Sequence, residues 1–243
     1  YSPHPQLRME DQTGYGTHMR EMIAAFKGLG HEVHILIAGR QTVNEKPVPL
    51  PQPLTFSRKK VLKSLIPRLI WETLKDVQLI QIDRANKRQL SQIVAQVNPD
   101  IIYERSHYGM VSGIAVAKAH HIHHILEVNS PNVEERMKLS GRSLLSFRAS
   151  KKDRWAFANS NHVLTVSTHL AEHLEITRIA QKWSTTPNAI RPGQQKESAL
   201  DLQRSTLHLD DAAVVLGFVG SIFPWHGVDL IIEAVAHLRQ QGK

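Results

Sequence analysis

The chain has 243 residues, of which 41% are hydrophobic, so it is long enough for one large domain or two small ones with a buried core. It contains no cysteine, which excludes disulfides, thiolate metal sites and a cysteine nucleophile. Thirty Lys and Arg against 22 Asp and Glu give a net charge of +8, which favours anionic partners such as nucleic acid, an acidic membrane surface or phosphorylated substrates.

The N-terminal segment does not resemble a secretion signal. The stretch YSPHPQLRMEDQ lacks the basic and then apolar pattern of a secretion signal, and no apolar run approaches the ~18 residues of a membrane span. We therefore expect a cytoplasmic protein. The chain does not begin with Met, and we expect further residues before Tyr1.

Short apolar runs alternate along the chain with segments of helical periodicity, as when Met19, Met22 and Ile23 fall on one helical face. In chain order the sequence predicts a helix at 17–28, a strand at 32–39, a helix at 90–97, a strand at 100–104, a helix at 109–120, a strand at 123–128, helical structure at 132–159, a strand at 161–167, a helix at 168–175 and a strand at 213–220 followed by a helix. Strands that alternate with helices predict a doubly wound α/β fold with a parallel sheet. Ligands of such sheets bind at the carboxyl ends of the strands.

Two segments break this alternation and divide the chain. Residues 44–57 are rich in proline and predict an extended loop. Residues 188–212 are polar, and we interpret them as a linker with one short helix. The predicted domains are therefore residues 1–187, with a first strand expected before Tyr1, and residues 213–243.

The stretch DQTGYGTHMREM places Gly14 and Gly16 directly before a predicted helix, where free backbone N–H groups and the helix dipole favour an anion. A dinucleotide-binding fingerprint would need a third glycine at position 19, where the chain has Met19. This departure argues against an NAD-dependent oxidoreductase. A tight turn without a ligand is the alternative.

A second glycine loop, GSIFPWHG, follows the last predicted strand. Gly220 and Ser221 leave the strand, and His226 and Gly227 enter a helix. A phosphate could be held there by backbone N–H groups, by the helix dipole and by a protonated histidine. The alternative is that Trp225 packs against the protein while His226 faces solvent.

Six segments together resemble the family 4 glycosyltransferases in their order and spacing. They are TGYGTHMREMIAAFKGLGHEVHIL, PDIIYERSHYGMVSGIAVAKA, ILEVNSPNVEER, ANSNHVLTVSTHLAEHL, TTPNAIRP and LGFVGSIFPWHGVDLIIEAVAHL, and they cover nearly the whole chain apart from residues 44–75. The resemblance implies a retaining enzyme of the GT-B fold, with two Rossmann-like domains. It further implies that the N-terminal domain binds the acceptor and that the C-terminal domain binds a nucleotide-sugar donor, which is a substrate, so that no cofactor is expected.

The resemblance assigns donor binding to both glycine loops, at Gly14, Gly16, Gly220, Ser221, His226 and Gly227. Thr13 stands where the family has the first glycine of a pair, which adds a Cβ where the donor would approach. Ser221 and His226 stand where the family commonly has Arg and Lys, which predicts a weaker and more pH-dependent grip on the diphosphate.

The loop after the predicted strand at 123–128 carries the predicted catalytic residues. Asn129 stands where the family often has a histidine that reaches the transferred sugar, and its amide can hydrogen-bond to hydroxyls. Glu127 is a candidate base, with a structural role as a cap or ion-pair partner as the alternative. The predicted acceptor-binding residues are Glu104, Arg105 and His107, at the carboxyl end of a strand, and Glu134.

Two parts of the family pattern fall outside this sequence. One is a pair of Glu residues that holds the donor ribose and sugar, expected after Lys243, and the other is the first strand, expected before Tyr1. We therefore interpret the chain as a fragment that would not turn over on its own. The alternative function is a non-catalytic module that binds a glycan or a phosphorylated ligand.

Other partners follow from charge and composition. We expect no metal, because no Asp-x-Asp cluster is present and the histidine-rich residues 119–125 have no carboxylate at a supporting spacing. The basic amphipathic residues 57–75 predict contact with the inner face of an anionic membrane, where lipid-linked acceptors lie, with a helical cap on the sheet as the alternative. Scattered aromatic residues and the lack of a long basic run argue against nucleic acid. The family points to synthesis of cell-surface polysaccharide.

Overall fold

A computed structural model describes residues 1–7, 9, 14–38, 66–189, 214–220, 222–223 and 226–242. Contacts divide the chain into two compact units, Tyr1–Pro192 and Gly193–Lys243. The predicted loop at 44–57, most of the linker at 188–212 and the predicted site residue Ser221 lie outside the described residues.

The first unit alternates helices with short strands. Its described elements are α1 (Gly14–Gly28), α2 (Arg68–Val97), β1 (Ile101–Arg105), α3 (Ser112–His120), β2 (His123–Val128), α4 (Asn132–Ser140), α5 (Ser146–Asn159), β3 (His162–Thr165), α6 (Thr168–His173), α7 (Ile176–Ile179) and β4 (Trp183–Thr185). The predicted helical region at 132–159 is thus two helices, and the predicted helix at 90–97 is the last part of the much longer α2. Pro67 directly precedes α2. The fixed φ and the missing N–H of proline cost little at the start of a helix, so Pro67 marks where the helix within residues 57–75 begins.

The strands form one parallel sheet in the order β1-β2-β3-β4. Successive strands run in the same direction because the helices between them return the chain to the end of the sheet where each strand begins. All four carboxyl ends therefore lie along one edge. This is the predicted doubly wound α/β fold of the Rossmann-like type, and the prediction is confirmed.

Tyr1 and Ser2 occupy a further strand position beside β1. The Arg105 N–H donates to the Tyr1 carbonyl at 3.0 Å, and on the other side the Ser2 N–H donates to the Leu36 carbonyl at 2.9 Å. The sequence had placed the whole of this strand before Tyr1, whereas these two residues already belong to it. The predicted strand at 32–39 forms a single parallel bridge here, because Ser2 alone pairs with it.

Two clusters of buried apolar side chains hold the sheet against its helices. One joins α2, β1 and α3, and the other joins β2 and β3 to α3, α5, α6 and α7. The larger cluster includes Val128 and Val163, which are fully buried. Burial of this kind is the main favourable term in folding, and here it fixes the strand ends on which the polar side chains stand.

The second unit contains one described helix, α8 (Val228–Gln240), which begins after Gly227 at φ +64°. The predicted strand at 213–220 is wrong for the described residues, since 214–219 form neither strand nor helix. A strand requires a hydrogen-bonded neighbour, and the side chains of Val214 and Val219 are 90% and 101% exposed.

In the described part of the chain, no helix combines the length and the apolarity that a membrane crossing requires.

Candidate functional site

Polar side chains converge at the carboxyl edge of the sheet, where β1 and β2 meet α1. Glu127 is at the centre: its Oε1 lies 2.6 Å from His18 Nε2, and its Oε2 accepts a hydrogen bond from the Tyr103 hydroxyl at 2.9 Å. The Asn129 side-chain amide also donates to Oε1, and Arg105 Nη1 lies 3.7 Å from the same oxygen. We refer to these five residues as the Glu127 cluster.

Strand geometry explains why these residues meet. Side chains two apart on a strand point to the same face, so Tyr103 and Arg105 share a face of β1. The parallel register places Arg105 opposite Glu127. His18 approaches from the second turn of α1, and so joins the first glycine loop to the sheet.

The cluster keeps Glu127 ionised. Burial raises the pKa of this carboxyl, whose side chain is only 8% exposed, but the hydrogen bond with His18 and the charge of Arg105 outweigh it and lower the pKa to about 2. Burial and the neighbouring Glu127 raise the pKa of Tyr103 well above its usual range. A general base works best with a pKa near the operating pH. The geometry therefore favours the structural alternative for Glu127, an ion-pair partner that positions its neighbours.

Two buried atoms of the cluster have no hydrogen-bond partner among the described residues: Asn129 Oδ1 and Arg105 Nη1. An ionised carboxylate only accepts hydrogen bonds, so the Asn129 NH2 group must face Glu127, which turns Oδ1 away from it. Leaving such groups unsatisfied is costly. The cluster thus offers one acceptor and one donor to a ligand with hydroxyl groups.

Glu104 lies on the opposite face of β1 and is 2% exposed. Its two oxygens accept hydrogen bonds from the N–H groups of Gly113 at 3.2 Å and Ile114 at 3.1 Å, at the start of α3. His124 Nε2 lies 2.9 Å from Oε2, and His124 Nδ1 lies 3.0 Å from Ser160 Oγ. The acceptor-binding role predicted for Glu104 does not fit this geometry, because its carboxylate is saturated by protein groups and caps a helix.

The same contacts account for one of the four histidines in residues 119–125. His124 is fully buried as the hydrogen-bond partner of Glu104. Across the described ranges, no three His, Cys, Asp or Glu side chains come together in a way that could hold a metal ion.

The other predicted acceptor residues are divided between two places. The His107 ring packs against the His4 ring at a tilt of 52°, with centroids 4.1 Å apart. Burial, followed by the nearby charges of His4 and Arg105, lowers the pKa of His107 to about 3. Glu134 Oε1 lies 2.7 Å from His173 Nε2, and both side chains are partly exposed. The structure therefore brings His107 close to the Glu127 cluster and pairs Glu134 with α6.

The first glycine loop enters α1 at Gly14, with no acidic residue in the first turn. Among the described residues, a Cβ at Gly14 would meet no atom within 4 Å. The sequence did not single out His18, which anchors this helix to Glu127. The available signal was its position four residues before Met22, at the edge of the apolar face of α1.

The second unit holds the other predicted donor residues. Gly227 precedes α8 with φ +64°, a conformation that glycine adopts readily, and Gly220 has φ +153°. The His226 N–H donates to the Phe223 carbonyl at 2.9 Å, and its ring lies 5.7 Å from the Phe223 ring.

A cavity of about 660 Å³ adjoins the Glu127 cluster. It opens between residues 31–37 and β1, beside Tyr1 and Ser2, and most of its lining side chains are apolar. The cavity lies between two segments of extended chain, in a place that a strand of the sheet would occupy. We therefore assign the candidate site to the Glu127 cluster and not to this cavity.

Comparison with known proteins gives one match. Residues 13–194 match the model of Glycosyltransferase Family 4, while no curated protein and no solved structure matched the chain. The matched range contains α1, the sheet and the whole Glu127 cluster. The chain therefore belongs to glycosyltransferase family 4.

Proposed function

We propose that the first unit is the acceptor-binding part of a retaining glycosyltransferase that transfers sugar from a nucleotide-sugar donor to a glycan or a lipid-linked acceptor. Family membership supports glycosyl transfer in general. The observation that supports the site is a pair of buried polar atoms without a hydrogen-bond partner among the described residues, Asn129 Oδ1 and Arg105 Nη1, at the carboxyl edge of the sheet. Synthesis of cell-surface polysaccharide in the cytoplasm, without metal or cofactor, is the setting that we propose.

We propose a separate role for each of three side chains. Asn129 Oδ1 accepts a hydrogen bond from a sugar hydroxyl, and Arg105 donates one. Glu127 is the positioning residue, because it holds Asn129 and His18 through one oxygen.

Donor binding is proposed for the two glycine loops, each within its own unit. Transfer of a sugar requires stabilisation of the negative charge that develops on the leaving diphosphate. The positive end of the helix dipole at the start of α1 favours an anion, and among the described residues no atom lies within 4 Å of a Cβ at Gly14. Gly220, Ser221, His226 and Gly227 are the proposed contacts in the second unit.

Ligand titration of the chain tests the site. Candidate acceptor glycans and UDP-, GDP- and ADP-sugars are titrated by calorimetry into the parent chain and an Asn129→Ala variant. Asn159→Ala, on the exposed side of α5, is the matched control. Loss of one hydrogen bond inside a buried site should weaken binding of the recognised sugar about 5- to 10-fold in Asn129→Ala only.

Two results would contradict the proposal. One is equal affinity in the parent and Asn129→Ala. The other is a glycan that binds through Asn129 while none of the UDP-, GDP- and ADP-sugars binds the chain, which would favour the alternative binding module. If transfer is observed, NMR of the product's anomeric proton decides retention.

We also propose that residues 57–75 contact the inner face of an anionic membrane. The described end of this segment supports the proposal, because α2 begins with Arg68 and exposes Leu69 and Ile70 to 43% and 48%. Basic and apolar side chains together favour binding at the lipid interface.

A further inference from the structure

Six large apolar side chains are exposed on neighbouring parts of α2, α4 and α5. Leu74 on α2 is 53% exposed, and Leu144 and Phe147 around the start of α5 are each 60% exposed. The full set is Leu69, Ile70, Leu74, Leu139, Leu144 and Phe147. We call it the α2–α4–α5 surface. Contiguous exposed apolar side chains of this number mark an interaction site more often than single ones do.

Hydrogen bonds hold the two segments of this surface together. Arg68 Nε donates to the Ser140 carbonyl at 3.0 Å, and the Leu144 N–H donates to Thr73 Oγ1 at 3.0 Å. The Ser143 hydroxyl donates to the buried Asp76. The loop between α4 and α5 is therefore attached to the first turns of α2.

The charge of this surface is positive. Residues 137–152 contain five Lys or Arg and no Asp or Glu. The nearest acidic side chains on α2, Glu72 and Asp76, are 4% exposed, and Arg136 Nη2 lies 2.7 Å and 3.3 Å from their oxygens. These carboxylates are neutralised inside the protein. Lys152 Nζ lies 3.5 Å from Asp83 Oδ2, so the charge that faces outward is that of the other four cations.

A cavity of about 490 Å³ opens on the same surface. Arg68, Lys75 and Trp71 line it, together with Ile66, Glu72, Leu139 and Ser140. Glu72 is paired with Lys75 at 2.9 Å and with Arg136. Trp71 Nε1 is buried and has no hydrogen-bond partner among the described residues, so an N–H donor and two cations border the cavity.

We propose that the α2–α4–α5 surface docks on an anionic phospholipid bilayer, with its apolar side chains in the interface and a lipid headgroup phosphate in the cavity. This inference deepens the membrane contact proposed for residues 57–75 and adds a second segment, the loop between α4 and α5. Interfacial binding draws on both apolar area and attraction to anionic lipid, and this surface supplies both.

Sedimentation with vesicles tests the cationic part. The parent chain should bind vesicles that mix phosphatidylglycerol with phosphatidylcholine, and should bind phosphatidylcholine vesicles weakly. Each cation near the membrane surface contributes about 5-fold, so Arg142→Gln with Arg148→Gln should weaken binding about 30-fold.

The matched control removes the same charge elsewhere. Lys87→Gln with Arg88→Gln lies about 30 Å further along α2 than Arg68, by the rise of an α-helix. At that distance salt screens the attraction, and the control should bind like the parent.

Two single variants test the apolar part and the cavity. Phe147→Ser should weaken vesicle binding about 10-fold, whereas Leu29→Ser, at a side chain 74% exposed elsewhere, should not. Trp71→Phe keeps the ring but removes the N–H, and should weaken binding about 3-fold. Far-UV circular dichroism confirms that each variant is folded.

The proposal is overturned if Arg142→Gln with Arg148→Gln binds like the parent, or if the α2 control loses as much. A variant with Lys59→Gln and Lys60→Gln distinguishes membrane contact through residues 57–75 from docking through the α2–α4–α5 surface. If this variant loses vesicle binding while Arg142→Gln with Arg148→Gln retains it, the membrane contact of residues 57–75 stands and docking through the α2–α4–α5 surface is refuted.

Discussion

Gly113 is packed against the carboxylate of Glu104, and we expect Gly113→Ala to destabilise the first unit. A Cβ at Gly113 would lie 2.4 Å from Glu104 Cδ and Oε2, well inside van der Waals contact. Glu104 cannot move away cheaply, because two N–H groups of α3 and His124 hold its oxygens.

The size of the loss follows from these contacts. Overpacking a buried site costs about 1–3 kcal/mol, and displacing the carboxylate would also weaken hydrogen bonds to a charged group, at about 1.5–3 kcal/mol each. We expect the free energy of unfolding to fall by about 3 kcal/mol. Gly28→Ala is the control, because its Cβ would meet no atom within 4 Å, and it should stabilise α1 by up to ~1 kcal/mol.

Urea unfolding followed by circular dichroism measures both variants. A double-mutant cycle then tests the cause: in a Glu104→Ala background, Gly113→Ala should cost close to nothing, since the clash is gone. The reasoning is refuted if Gly113→Ala is within about 0.5 kcal/mol of the parent, a typical size for a substitution without a special contact. It is also refuted if the cost is the same in both backgrounds.

Two further predictions concern stability in acid. The pKa of Glu127 is about 2 against an ordinary 4.5, so its carboxylate should stabilise the fold above pH 4.5 and lose that contribution as the pH falls toward 2. Glu127→Gln should therefore lower the free energy of unfolding by ~3 kcal/mol at neutral pH, and the gap to the parent should close across this window; a constant gap would contradict the assignment. The pKa of His107 is about 3 against 6.5, so the unfolded chain takes up the proton first and stability should fall as the pH drops from 6.5 toward 3. His107→Gln should flatten that decline by up to ~1.4 kcal/mol per pH unit, and unchanged slopes in urea titrations would show that His107 is not the group responsible.

The sequence predicted the fold well because its signals are local. Apolar residues at helical and strand spacing located α1, β1, α3, β2 and β3 to within a few residues, since these elements bury one face or one short run against the same core. The start of α2 and the absence of strand pairing at 214–219 were harder to predict. Pro67 is a local signal for the start of α2, whereas strand pairing depends on contacts between segments, which periodicity does not report.

The candidate site was predicted in part. Asn129 was named from the family resemblance and Arg105 from the end of its strand, and both belong to the Glu127 cluster. His18 was not named, because a polar residue beside an apolar helical face gives no indication of its partner. Its role emerged only from the 2.6 Å contact with Glu127, a residue more than a hundred positions away.

By itself, then, the sequence determined the alternation of strands and helices, the parallel sheet and the edge where polar residues gather. Only the tertiary structure decided which of two neighbouring residues, Glu104 or Arg105, belongs to the Glu127 cluster. Glu104 and Arg105 are adjacent in the chain, yet strand alternation sends the first inward to cap α3 and the second to the Glu127 cluster. The physical reason is that facing direction depends on strand register and on which helix covers each face, and both are settled when distant segments pack together.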